Sequence, residues 1–529
     1  MNISRLVLLL LTVFITSTLF FEDSVRARLL GQGPLSAAER RGKQIYQQGL
    51  SPSKEPIVAA LGESSLEMPG NLLACANCHG SHGQGKSEGV VKPSNLTWES
   101  LTTATKTGRV HPAYTEHSLA VAITEGKDPA GNKLKSAMPR FQIAPADISD
   151  LLTYLKLVGK DNDPGVEEKK IVIGTIVPKG SLATLGLAIK SVLNAYFNEI
   201  NNQGGIYGRN VELKVVEVGD SPAATRTIVE QFIANENVFA LTGAFIAGSE
   251  KEVTQLLDQN DVPLIGPLTL FPQASSSDTR PVFYLLAGIP DQARVLANFA
   301  TKHAAPQDPA LAIVYARNDF NLTVVDAISE QAAQNKVKTP PTFEFLSSNL
   351  NAVELAKQVQ ASNASAVFFV GTSQEGLSFM KEAEKLNWFP DIYLSAAAGA
   401  ADALQSPAGF DRKIFISFPS SPADQSKEGM KDFSALQDKY KLPRQHVASQ
   451  ISTYAAAKVL VAGIKAAGKD LNRAQLIRSL EELNSFDTGL TPPITYGSDR
   501  RSGALGAYVI TVDLKTKQFV PVGGWINLN

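Results

Sequence analysis

The chain has 529 residues, more than one hydrophobic core usually serves, so its length calls for two or three domains. Its 50 basic and 51 acidic side chains are well mixed, leaving a formal net charge of −1 and no polybasic tract. That pattern excludes a nucleic-acid binder, which concentrates Lys and Arg on one surface, and the remaining composition is that of an ordinary globular protein.

The N-terminus runs from Met1 to the basic Arg5, through an apolar stretch over residues 6–21, to Glu22. Positive, then hydrophobic, then polar is the order of a secretory signal, so residues 1–21 are expected to be a signal peptide or membrane anchor and the rest to be periplasmic. No small-x-small cleavage site is obvious after Phe21, and the run is shorter than the ~20 residues of a comfortable span, so cleavage and retention both stay open.

Ser36 and Glu39 are spaced as a capping box for a helix through Gln48. A loop rich in Pro, Gly and Ser leads to Ala74-Cys75-Ala76-Asn77-Cys78-His79-Gly80, and a final helix over residues 145–158 shows one apolar face, with Ile148, Leu151, Leu152, Leu155 and Val158. Residues 160–169 read as a linker, since turn formers and charge cluster there without an apolar period. From Lys170 the texture changes to alternating strands and helices, which predicts parallel sheets covered by helices on both faces. The alternation restarts near Val282 as a second α/β lobe, and the stretch from Ile414 onward is expected to return and complete both lobes.

Cys75, Cys78 and His79 carry the most specific chemistry. Thioether attachment of a haem needs two thiols matched to its two vinyl groups and a histidine directly after the second, placing imidazole under the iron. The motif uses both cysteines of an exported chain; a single disulfide is the rival use. Of the five methionines only Met138 lies between this motif and the closing helix, so it is the expected sixth iron ligand, with His111 and His117 as rivals. His82 sits too close to the motif to reach the opposite haem face easily. The segment from Gly80 through Gly85, Lys86 and Ser87 also spells a phosphate loop, but no strand precedes it and no apolar helix follows, so an ATP site is not expected.

With these residues in place, residues 36–159 resemble a class I cytochrome c: the haem motif, Ala137-Met138-Pro139 and the closing helix follow in that family's order. The resemblance implies a close crossing of first and last helices at Gly42 and Tyr154. Residues 50–73 form an insertion that departs from the family.

Residues 170–529 resemble a type I periplasmic solute-binding protein of the branched-chain amino-acid receptor family. The likeness is carried by Gly174 and Gly186, Asn198 through Gly204, Gly205 and Gly208, Leu241 through Ser249, and Val262 through Pro267. It implies two lobes joined by a multi-stranded hinge that close on a small solute, held at strand ends and helix starts by Ser181, Gly248, Ser249, Thr269, Thr372 and Ser373. Helix capping is the competing use of Ser249, Thr269, Thr372 and Ser373. At the place where the family carries an acid for its ligand's ammonium, this chain has Ala396, Ala397 and Ala398, so a solute without a free ammonium group is expected.

The expected fold class is therefore multidomain, a small all-α cytochrome c domain followed by a two-lobed α/β binding domain. No nucleophile, base and acid set is recognisable, so the chain reads as an electron carrier and solute-binding protein rather than an enzyme. The expected cofactor is one covalent haem c with its iron, and the expected partners are the solute, a periplasmic redox protein and a membrane permease. Two rival functions are a transport receptor in which the haem is accessory and a redox or ligand sensor.

Overall fold

The computed structural model describes residues 35–528 except 63–64, 81, 86–92, 107, 162, 220, 273–280, 304–309, 396–399 and 401. It falls into two compact units, Met1–Asp163 and Pro164–Asn529. The expected signal segment lies outside the described residues. The unit boundary falls inside the expected linker because Lys43 holds both Asp161 (2.9 Å) and Asp163 (2.7 Å), and Tyr154 donates to Asp161. Those charges extend the first unit by four residues.

In chain order the first unit contains α1 (Ala37–Gln48), β1 (Val58–Leu61), β2 (Leu66–Pro69), α2 (Cys75–His79), α3 (Trp98–Leu101), α4 (Glu116–Thr124), β3 (Arg140–Gln142) and α5 (Pro145–Leu155). The capping box forms as read: Ser36 Oγ accepts from the Glu39 amide, and Glu39 accepts from the Ser36 amide. Helices α1 and α5 cross at Gly42, where an added Cβ would lie 2.1 Å from the Asp150 carbonyl oxygen and 2.7 Å from Tyr154 Cβ. Tyr46 and Tyr154 stack obliquely across the crossing, 5.6 Å between centroids. The insertion folds rather than dangles. Its hairpin β1–β2 pairs antiparallel, and β1 also pairs antiparallel with β3 just after Pro139, adding a three-stranded sheet to an otherwise helical unit.

The second unit opens with β4 (Lys170–Pro178), α6 (Ala183–Asn202), β5 (Asn210–Val218), α7 (Pro222–Glu236), β6 (Ala240–Thr242), α8 (Glu250–Gln259), β7 (Leu264–Ile265) and β8 (Val282–Leu286). There follow α9 (Ile289–His303), β9 (Leu311–Ala316), α10 (Asp319–Gln334), β10 (Thr342–Phe345), α11 (Ala352–Ala361), β11 (Ala366–Val370), α12 (Ser373–Lys385), β12 (Asp391–Ser395) and β13 (Ile414–Phe418). The chain then returns through α13 (Lys427–Tyr440), α14 (Val447–Ala467), α15 (Arg473–Glu481) and β14 (Ser502–Ala504), and ends with β15 (Gly506–Asp513), β16 (Gln518–Pro521) and β17 (Ile526–Asn527).

These strands form two sheets, hence two lobes. The first has the order β14-β8-β7-β6-β4-β5, all parallel; the second has β10-β9-β11-β12-β13 parallel, closed by antiparallel β15 and β16, with β17 also on β15. Strand β8 corrects the reading that the second lobe starts near Val282. It pairs with β7 and β14, so the second lobe begins only at α9. Both faces of each sheet are covered, which is why β4 is buried almost end to end and reads as a continuous apolar run. Among the described residues α14 alone is long and apolar enough to cross a membrane, but its Ala455, Ala456, Val459 and Leu460 are buried in the first lobe's core.

Candidate functional site

Two sites lie in separate units. In the first, α2 is a single turn that presents Cys75, Cys78 and His79 together, and both thiols are free. The His79 ring is buried, and its Nδ1 lies 2.8 Å from the Ser94 carbonyl oxygen. A carbonyl can only accept, so Nδ1 carries the hydrogen and Nε2 keeps its lone pair for a metal. Burial pushes the His79 pKa down, favouring that neutral form, and pushes the Cys75 thiol up. Tyr46 on α1 donates to the Gly80 carbonyl at 2.8 Å and so ties the motif to the helix crossing.

Gly83 and Gly85 have φ of +70° and +85°; an added Cβ would meet Val158 Cγ1 at 2.2 Å and the Pro93 carbonyl oxygen at 2.5 Å. Close packing thus accounts for the glycines that mimic a phosphate loop, which here follows a helical turn; Lys86 and Ser87 fall outside the described residues. Met138 is half-buried against the unit's apolar core, immediately before β3. The Arg140 guanidinium donates to the carbonyls of Met138 and Leu134, and the Gly62 amide donates to Ser136 at 3.2 Å, so this loop is braced from the inserted hairpin and from β3. Of the rival ligands, His111 is buried with Nδ1 2.8 Å from the Pro112 carbonyl, and His117 is exposed. The donor set, two free thiols and an oriented neutral imidazole on one turn, fits covalent haem.

The second site lies at the carboxyl ends of the parallel strands, where chain reversals expose helix starts. A cavity of about 370 Å³ opens there into the second lobe. Its inner wall is apolar, with Ile289, Ala293 and Leu296 of α9, Val324 and Ile328 of α10, and Phe368 and Tyr393 of the sheet. Its rim holds Asn318, Asn321, Ser347, Thr372, Ser373 and Ser395, while Leu270 and Phe271 reach it from the loop after β7. Phe271 and Phe320 pack together at 4.8 Å.

Of the six expected solute contacts, the structure brings only Thr372 and Ser373 to this cavity. Thr372 caps α12 in a full capping box with Glu375, and Ser373 donates to Asp402. Ser181 is exposed in the short turn after β4, and Gly248 is exposed at φ +82°. Ser249 is buried at the start of α8 without a side-chain cap bond. Thr269 donates to Glu250 Oε1 at 2.6 Å and accepts from the Phe271 amide. Ala396–Ala398 fall outside the described residues.

Sequence reasoning missed Asn318 and Glu250. The first sits two residues past the end of β9 and caps α10, a pattern that could have flagged it. Glu250 is buried in the first turn of α8, and its Oε2 has no hydrogen-bond partner in the structure; nothing local in the sequence signals that.

A helical unit built around a haem-attachment turn, followed by a two-lobed α/β unit with a cavity at its strand ends, defines a cytochrome c domain joined to a periplasmic-type binding fold. Residues 41–158 match the cytochrome c family model and residues 170–518 the periplasmic binding protein family model. The chain belongs to the periplasmic binding protein family and carries a cytochrome c domain ahead of it. A similar curated protein is a Leu/Ile/Val-binding protein homolog 3 of Brucella melitensis biotype 1, 21% identical over 326 residues, covering 60% of this chain and 85% of that one. Among solved structures, a branched-chain amino acid ABC transporter protein of Thermus thermophilus with bound valine is 15% identical with TM-score 0.55, covering 68% of this chain and 97% of that one. A fatty acid ABC transporter substrate-binding protein of Thermomonospora curvata is 20% identical with TM-score 0.53, covering 69% and 94%. At these identities the solved structures speak for the fold.

Proposed function

We propose that this is a periplasmic mono-haem c-type cytochrome fused to a receptor for a small solute, coupling solute binding to periplasmic redox chemistry. Cys75 and Cys78 would hold one haem c through thioethers, and His79 and Met138 would ligate its iron. When bound, the haem supplies a one-electron redox centre. The chain's own part is to fix the His79 tautomer through Ser94, to brace the Met138 loop and to shield the site with the unit's core. The observation that carries this reading is the His79 imidazole, oriented through Nδ1 beside two free thiols on one turn. Residues 1–21 serve as signal or anchor, a periplasmic redox protein exchanges electrons with the haem, and a membrane permease is a further partner if the receptor also serves transport.

The solute is read as lacking a free ammonium group. The cavity's one described carboxylate, Glu375, already accepts from the Thr372 amide at 2.7 Å, and residues 396–398 offer no acid. The unpartnered Oε2 of Glu250 favours a second reading, an amine-bearing solute whose ammonium meets that carboxylate. Leucine against its deaminated analogue, by calorimetry, separates the two.

Potentiometry on the full chain tests the haem assignment. Met138→His should keep a low-spin spectrum and lower the reduction potential, because imidazole favours ferric iron more than a thioether does. An unchanged potential with a retained sulfur-to-iron absorption band would remove Met138 from the site. Coupling predicts that saturating solute shifts the wild-type potential, by linkage. No shift would leave the haem an accessory of a transport receptor.

A further inference from the structure

We infer that the solute is amphipathic, with an extended apolar body that enters the second lobe between α9 and α10 and a polar end left at the strand termini. The inference rests on the receptor reading of the second unit and adds the class of its ligand.

The cavity has a direction. Its depth is lined mainly by apolar side chains, chiefly Ile289, Leu296, Val324, Ile328 and Phe368, with the Tyr393 phenol among them. Its polar residues gather at helix starts around the mouth, and most are already engaged: Asn318 accepts from the Asn321 amide, Asn321 donates to Ala316, and Ser373 donates to Asp402. Among the described residues no Lys, Arg or His lines it. A small polar solute would leave the apolar inner wall uncovered, whereas an apolar body laid against it would remove that surface from water. At about 370 Å³ the space is of the order of small-molecule sites.

A second, independent feature is the surface around the same strand ends. Leu270, at the mouth, is 50% exposed; Phe320 at the start of α10 is 43% exposed; Leu346, after β10, is 55% exposed. Large apolar side chains left in water beside an apolar cavity are surface that a solute with an apolar body would cover as the lobes close.

Calorimetry on the haem-loaded full chain should use octanoate, octanol, phenylacetate and leucine as probes. The octyl pair and phenylacetate separate aliphatic from aromatic bodies, and acid from alcohol separates the polar ends. At least one apolar-bodied probe should bind, more tightly than leucine. Leu270→Ser and Phe320→Ser alter exposed positions with little risk to folding, and together they should weaken that probe ten-fold or more. Val324→Phe, which fills the depth, should abolish it, with a lower melting temperature but with far-ultraviolet circular dichroism and haem spectrum as in the wild type. Leucine binding alone, indifferent to all three changes, would overturn the inference and leave the receptor reading standing. No binding by any probe, with no small molecule released on denaturing the purified chain, would overturn both.

Discussion

At Gly42 the missing side chain is what lets the first and last helices of the cytochrome c unit meet. Gly42→Val would force its branches into the Asp150 carbonyl and Tyr154, and overpacking of that kind costs on the order of 3 kcal/mol. The expected outcome is a fall of ten degrees or more in this unit's melting temperature, read by circular dichroism. Asp128 shows the opposite device, a buried carboxylate fully supplied. Burial pushes its pKa up, but bonds from Asn132 (3.0 Å and 2.9 Å) and the Ala130 amide, with Arg109 at 2.9 Å, outweigh it and hold the group below the usual carboxylate range. A depressed folded pKa contributes stability that is present above the unfolded value and is lost as pH falls through the folded one. The first unit's melting temperature should therefore hold from pH 7 to about 5 and decline below about pH 4. Asp128→Asn should lower the plateau and flatten that decline; an unchanged acid profile would show that the loop draws nothing from this charge.

Among the elements, the inserted hairpin has the clearest consequence. Strand β1 lies between β2 and β3, so the insertion props the strand that follows the proposed axial methionine. Ala59 is fully buried opposite Phe141, and Ala59→Pro would strip a donor from the middle strand of the sheet. Haem attachment should survive, while the sulfur-to-iron band should disappear at lower temperature than in the wild type. A band of wild-type stability would make the hairpin a cover rather than a brace. This sheet is not legible in the sequence, because its two four-residue strands lack strong alternation and β1 also pairs with a segment some eighty residues later. The βα alternation of the second unit was legible, since strands buried on both faces write themselves as apolar runs. Alternation does not say which sheet a strand joins, and so β8 was read into the wrong lobe.

For the whole molecule, legibility divides along the same line. The proposed haem site could be read from the sequence because its chemistry is local: two thiols and an imidazole within five residues, in an order few other functions require. The cavity proposed for the solute could not, because Ile289, Val324, Phe368 and Tyr393 come from four elements spread over a hundred residues, and only the fold gathers them. Thr269 makes the same point in one residue. Its hydroxyl looked free for a ligand, yet it is spent on Glu250, whose burial no local pattern announces. Covalent haem is the central claim, and intact-mass spectrometry of the chain purified from a host with haem-attachment machinery tests it most directly. The expected result is the mass of one haem added to the wild type and none to Cys75→Ala/Cys78→Ala. A native chain of unmodified mass, with Cys75 and Cys78 joined in a disulfide, would contradict it.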